Sequence, residues 1–250
     1  MTKLDAATVG ALHAGEPGIT EALLRRAHDS DSGQTPYTWL AAAVPLTGRV
    51  VDLGCGSAPI AELLAKEVTY IGIDRSAAEL AVARDRSLLL VQADARDLPL
   101  TGGVDAVISS MALMLVDPIQ PVLRAVAAVL RPGGTLIATL PALTSHDADD
   151  AALHTAVLAV LGRAGIGYPT TLADAAGELA AAGLHLVADD TINFAVPVAN
   201  DVDAHLLARS YYAVDRSPAA LDRAAATITD HAAGRCAVGY AIRRIVARRA

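Results

Sequence analysis

Between Arg49 and Leu140 short apolar runs alternate with stretches whose apolar positions recur at helical spacing. The runs are Val50-Val51-Asp52-Leu53, Tyr70-Ile71-Gly72-Ile73-Asp74, Leu88-Leu89-Leu90-Val91, Val104-Asp105-Ala106-Val107-Ile108 and Thr135-Leu136-Ile137-Ala138-Thr139-Leu140. Apolar runs of this length suit strands covered on both faces. Between them, Ile119, Val122, Leu123, Val126 and Leu130 form one apolar stripe, which Arg131-Pro132-Gly133-Gly134 ends. Ser76-Ala77-Ala78-Glu79 reads as a capping box after the second run. Strands alternating with helices imply right-handed crossovers and a parallel sheet.

The flanks differ. Residues 1–48 read as helical and polar, with Thr20 capping one segment and Thr35-Pro36 opening another that carries Tyr37, Trp39 and Leu40. After Pro141, helical stretches near 148–164 and 172–182 precede a strand near Leu184 to Ile192. A helical pair near 201–214 and 218–232, the second opened by Ser217-Pro218, leads to a last strand from Cys236 to Val246. The expected architecture is α/β: a Rossmann-like, doubly wound sheet of seven strands, mostly parallel with the last antiparallel. Residues 1–48 form a helical cap on a domain 49–250, with lid insertions at about 142–182 and 200–233.

Composition narrows the partners. Lys+Arg 20 against Asp+Glu 27 gives a net charge of −7, which repels polyanions and argues against a nucleic acid. No apolar run reaches the roughly 20 residues of a spanning helix, so no membrane partner is expected. Met1-Thr2-Lys3-Leu4-Asp5 lacks a secretory start, and Cys55 and Cys236 lie too far apart in sequence to suggest a disulfide framework. The expected location is a reducing cytoplasm. Arg243-Arg244 and Arg248-Arg249 read as the solvated end of the last strand.

The chemistry gathers at the strand ends. Asp52-Leu53-Gly54-Cys55-Gly56-Ser57-Ala58-Pro59 follows the first strand, where glycines let the chain turn tightly and a ligand come close. As a dinucleotide fingerprint it fails, because Pro59 stands where G-x-G-x-x-G needs its third glycine. Asp74 ends the second strand, where a carboxylate can accept from both ribose hydroxyls of an adenosine; for Asp74, as for Asp52, a strand-end turn residue is the plainer alternative. Gln92-Ala93-Asp94-Ala95-Arg96-Asp97-Leu98-Pro99 follows the third strand, and Asp94 there can accept from an exocyclic adenine amine.

In order and spacing these motifs resemble the class I S-adenosylmethionine-dependent methyltransferases of small-molecule type. The resemblance rests on Asp52-x-Gly54-x-Gly56-x-Ala58, Asp74, Asp94 with Leu98-Pro99, Ser109-Ser110-Met111-Ala112-Leu113 and Arg131-Pro132-Gly133-Gly134-Thr135, over roughly residues 45–141. It implies S-adenosylmethionine as cofactor and S-adenosylhomocysteine as product. Gly54 and Gly56 would floor the methionine portion, with Cys55 filling the loop, and Asp52 would hold the amino group. Asp74 with Arg75 would take the ribose, and Asp94 with the Ala95 backbone the adenine. Ser110 would line the site; Tyr37 is a further candidate from the aromatic cluster with Trp39 before the first strand, with core packing the plainer alternative. Ala58 replaces the family's third glycine. The segment after the fourth strand lacks the Asn/Asp-Pro-Pro-aromatic signature with which base methylators hold an extruded base, so a small, partly apolar acceptor is expected.

Methyl transfer from a sulfonium is an in-line displacement governed by alignment and exclusion of water, and only an acceptor that carries a proton needs a base. His146, after the fifth strand, is the expected base; Tyr37, Ser110, Met111, Tyr168, His205, Tyr211 and Tyr212 are the other candidates. His146-Asp147-Ala148-Asp149-Asp150 also has the look of a hard-metal cluster, but acids at a helix start explain it, and no metal is expected. The rival readings are another use of the sulfonium, such as cyclisation releasing methylthioadenosine, a non-catalytic cofactor-binding module, or a nicotinamide oxidoreductase.

Overall fold

A computed structural model describes residues 2–84, 88–142 and 147–250, so His146 lies outside the described residues. In chain order, β1 (Thr2–Lys3), α1 (Ala6–Gly15), α2 (Ile19–Leu24) and α3 (Pro36–Ala41) precede the sheet. Then come β2 (Gly48–Leu53), β3 (Val68–Asp74), α4 (Ala77–Ala83), β4 (Leu89–Gln92), β5 (Val104–Ser110), α5 (Gln120–Val129) and β6 (Leu130–Pro141). The remainder is α6 (Ala148–Val160), β7 (Ile166–Gly167), α7 (Ala175–Ala180), β8 (Leu184–Pro197), α8 (Asp201–Ser210), α9 (Pro218–Ala232) and β9 (Ala237–Arg249).

Seven strands form one sheet in the order β4-β3-β2-β5-β6-β9-β8. β9 is antiparallel to both its neighbours and the other pairings are parallel, as the pattern predicts. Val50, Val51, Ala106, Val107 and Ile108 of the two central strands are all fully buried, the reason their stretches read as unbroken apolar runs. Winding reverses between β2 and β5, so a crevice opens there at the carboxyl ends of the strands.

Several local expectations change. The first crossover holds only a 3-10 turn, Ala61–Leu63, in place of a full helix. Thr20 lies inside α2, whose cap is Gly18 in the left-handed region at φ 79° with no side-chain cap bond. The N-terminal segment also contributes β1, which pairs in parallel with β7 as a separate two-stranded sheet. Arg243 and Arg244 are not solvated: Arg243 clasps Asp189 through two 2.6 Å bonds, and Arg244 lies 4.3 Å over the Trp39 ring while donating to Trp39 O at 2.7 Å. Those arginines alternate across β9 onto layers the sequence pattern did not show, and their stems cover apolar surface while their heads find partners.

Thr35 caps α3 as expected. It accepts from Thr38 N while the Thr38 hydroxyl accepts from Thr35 N, and Pro36 sits at the first helical position. This short helix delivers Tyr37 to the crevice and Trp39 to Phe194 of β8, with ring centroids 5.8 Å apart. Thr35→Ala is expected to cost about 1 kcal/mol, lowering Tm by roughly 2–4 °C in calorimetric melting. An unchanged Tm would show that packing alone holds α3.

Candidate functional site

The crevice is a cavity of about 590 Å³, within the range of small-molecule sites. Tyr37, Asp52, Gly54, Cys55, Gly56, Asp74, Arg75, Asp94, Ala95 and Ser110 all line it. The parallel register explains the convergence. Asp52 stands opposite Gly72, and Asp74 opposite Gln92, so the chain leaves β2, β3 and β4 at one level.

Asp52 is 1% exposed. Tyr70 O–H donates to its Oδ2 at 2.8 Å, while Oδ1 is buried with no hydrogen-bond partner. Burial, reinforced by the Asp74 charge and opposed by the Tyr70 bond, pushes its carboxyl up to about 7. An unpaired buried carboxylate oxygen at a cavity wall is a receptor for a cation that also donates hydrogen bonds.

The loop after β2 is shaped by its glycines. Gly54 has φ +71°, and a Cβ there would stand 2.3 Å from the Ala112 Cβ. Gly56 has φ +53°, and its N–H donates to Asp74 Oδ2 at 2.8 Å. Asp74 Oδ1 accepts from Ser76 N at 2.7 Å, so this one carboxylate braces both the glycine loop and the start of α4. Ala58, at φ 60°, carries the strain the missing glycine would have avoided, roughly 1 kcal/mol. Its methyl is fully buried and is not part of the cavity wall, so it does not crowd the ligand space.

Asp94 is more committed than its sequence position suggests. Arg96 donates to it from Nε at 2.9 Å and Nη2 at 2.7 Å, holding its pKa down to about 2. Burial beside Asp52 and Asp74 pushes the Cys55 thiol up, so it stays protonated and fills space. Ser110 receives a 3.3 Å bond from the Thr139 hydroxyl.

The late candidates separate. Tyr212 lines the cavity; Tyr168 and Tyr211 instead line a smaller one beside it with Tyr240. α8 ends at Ser210 and Tyr211 is already extended; Tyr211 bonds His154 and Tyr212 lies against His13, so the neighbouring rings take different partners. His205 belongs to neither cavity and bonds Asp222 at 3.2 Å. Asp147 caps α6, and Asp150 accepts from Gly239 N and from His231. No group of three candidate metal ligands occurs among the described residues.

Sequence reasoning missed His13, Glu21 and Glu79, all on the cavity wall. Ser76 Oγ does accept from Glu79 N at 3.3 Å, but the Glu79 carboxylate turns away from the capping-box position to Gly18 N and His13. The available signal was its place on the buried face of α4 with Leu80 and Ala83. Glu21 takes the Ser57 hydroxyl and Arg25 Nε, tying α2 to the glycine loop.

Residues 51–138 match the methyltransferase domain family. A 2-phytyl-1,4-naphtoquinone methyltransferase of Synechococcus elongatus is 44% identical over 98 residues, covering 34% of this chain and 42% of that protein. A ubiquinone biosynthesis O-methyltransferase of Xanthomonas campestris pv. campestris is 35% identical over 147 residues, covering 52% of this chain and 62% of that one. The chain thus spans about half the length of the curated relatives it matches. The crystal structure of the [4+2]-cyclase SpnF shares the fold with a TM-score of 0.61 at 20% identity, over 100% of this chain and 97% of that one. Domain match and relatives together show that residues 51–138 carry a methyltransferase domain, set in a seven-stranded, mostly parallel sheet of Rossmann-like order.

Proposed function

We propose that this protein transfers the methyl group of S-adenosylmethionine to a small, partly apolar molecule. The observation that carries the reading is the unpartnered, buried Oδ1 of Asp52 beside the Gly54 cradle and Asp74. Such a wall fits an adenosyl amino acid. Asp52 would accept from its ammonium, Gly54 and Gly56 would lie under the methionine chain, and Asp74 would offer its remaining lone pairs to the ribose. The bound cofactor supplies an already activated methyl group; the protein's part is to orient the acceptor in line and keep water out.

Residues 1–48 act as a cap over this site and the insertions near 142–182 and 200–233 as a lid, a reading supported by His13, Glu21, Pro169 and Tyr212 on the cavity wall. The net charge of −7 favours a small molecule over a nucleic acid. No helix among the described residues is long and apolar enough to cross a membrane, which is compatible with action in the cytoplasm.

Calorimetry against S-adenosylhomocysteine and NAD tests the cofactor, and binding of the first but not the second is expected. Preferential NAD binding would overturn the assignment. Product analysis tests the chemistry, because methyl transfer yields S-adenosylhomocysteine whereas cyclisation yields methylthioadenosine. The SpnF likeness shows that this fold is not confined to proteins named as methyltransferases, which makes that analysis decisive. Asp94→Ala is expected to weaken S-adenosylhomocysteine less than tenfold, because Arg96 already occupies both its oxygens. A larger loss would give Asp94 the main adenine role.

A further inference from the structure

Three cavity-lining side chains, brought from α1, α4 and the segment after α8, form a chain of contacts. His13 Nδ1 lies 2.7 Å from Glu79 Oε1, and His13 Nε2 lies 3.3 Å from the Tyr212 hydroxyl. Glu79 is fixed from its other side, where Oε2 accepts from Gly18 N at 2.9 Å. It is 3% exposed, so its carboxylate has little water to turn to. The His13 ring is tilted against the Tyr212 ring at a centroid distance of 5.8 Å.

We propose that His13 is the catalytic base of the methyl transfer and Glu79 its positioning residue, serving an acceptor that carries a removable proton, a phenol or an alcohol. The proposal rests on the methyltransferase reading above. A carboxylate that accepts the Nδ1 proton selects the tautomer whose lone pair sits on Nε2, and Nε2 faces the cavity side occupied by Tyr212. The contact with Tyr212 is long for a hydrogen bond to a hydroxyl, so an entering acceptor hydroxyl can take that place at little cost.

The step balances without a further reactant. The acceptor oxygen's lone pair forms the bond to the methyl carbon while the carbon–sulfur bonding pair moves to sulfur. The acceptor proton passes to His13 Nε2. The imidazolium so formed lies against Glu79, which stabilises its charge through the contact already in place. On release of the product the proton returns to water through the cavity mouth.

The test reads the tautomer directly. The protein has seven histidines, and in a [15N]histidine-labelled sample the signal lost in His13→Gln assigns His13. In the S-adenosylhomocysteine complex at about pH 8.5 the ring proton is expected on Nδ1 and the lone pair on Nε2. A proton on Nε2, with or without one on Nδ1, overturns the proposal. A second readout separates a base from a cofactor contact: His13→Gln should keep its S-adenosylhomocysteine affinity within about threefold of the parent, and a larger loss overturns the assignment. Should the parent protein bind no S-adenosylhomocysteine, the cofactor reading fails by itself, visibly and without any variant.

Discussion

Asp52→Asn is expected to weaken S-adenosylhomocysteine binding at about pH 8 by roughly 10- to 150-fold, the loss of one charge-assisted hydrogen bond. It is also expected to remove a pH dependence. The parent's Asp52 carboxyl sits near 7 when no ligand is bound, raised chiefly by burial, yet an ammonium is best received by the ionised form. The parent's affinity should therefore fall about tenfold for each unit of pH below about 7, with a proton released on binding, while the asparagine variant stays nearly flat. Calorimetry across that range in two buffers of different ionisation enthalpy measures both effects. A parent affinity independent of pH would show that Asp52 does not meet the ammonium.

The same carboxyl makes a stability prediction with a definite sign. Between about pH 4 and 7 an unfolded chain has lost this proton while the native one retains it, so native stability falls as pH rises through the window and levels off above it. The cost above pH 7 has a ceiling of about 4 kcal/mol, from the shift between 3.8 and about 7. Asp52→Asn avoids that cost. Ligand-free, the variant should melt above the parent at pH 8 and lose this advantage towards pH 4. On the proposed reading, this is the stability surrendered to hold an unpaired acid ready for its ligand.

The second large effect concerns Asp74. Asp74→Ala should reduce S-adenosylhomocysteine affinity by about 1.5 to 3 kcal/mol, through the lost ribose acceptor and through a loosened loop. Both carboxylate oxygens accept from backbone N–H groups, of Gly56 and of Ser76. Asparagine is a poor rescue, because its amide turns a donor towards one of those N–H groups whichever way it is flipped. Asp74→Asn should therefore behave like the alanine variant, and hydrogen exchange at Gly56 should quicken in both. Full affinity in either variant would remove Asp74 from the site.

Much of the architecture is legible in the residues themselves. Val50-Val51 and Ala106-Val107-Ile108 carry no polar alternation because both faces of those strands are covered, and that pattern is local. Thr35-Pro36 and Ser217-Pro218 open their helices as expected because cap chemistry depends on neighbours within one turn. Thr20 misled for the complementary reason: the left-handed turn at Gly18 starts α2 two residues earlier without a side-chain cap. At the site, glycines and acids at strand ends could be found because parallel pairing puts every carboxyl end on one edge.

The sheet, its winding and the ring of Asp52, Gly54, Gly56, Asp74 and Asp94 can be read along the chain, since each follows from short-range pattern and the rules of parallel crossovers. Which partners those groups meet follows from the folded arrangement. Asp94 is taken by Arg96, Asp74 braces its own loop, and Asp52 is left with one orphaned oxygen. The same arrangement sets His13 against Glu79 and Tyr212 across separations of 66 and 199 residues. No period along the chain encodes such a meeting; it exists because α1, α4 and the segment after α8 all contribute to the wall of the same crevice.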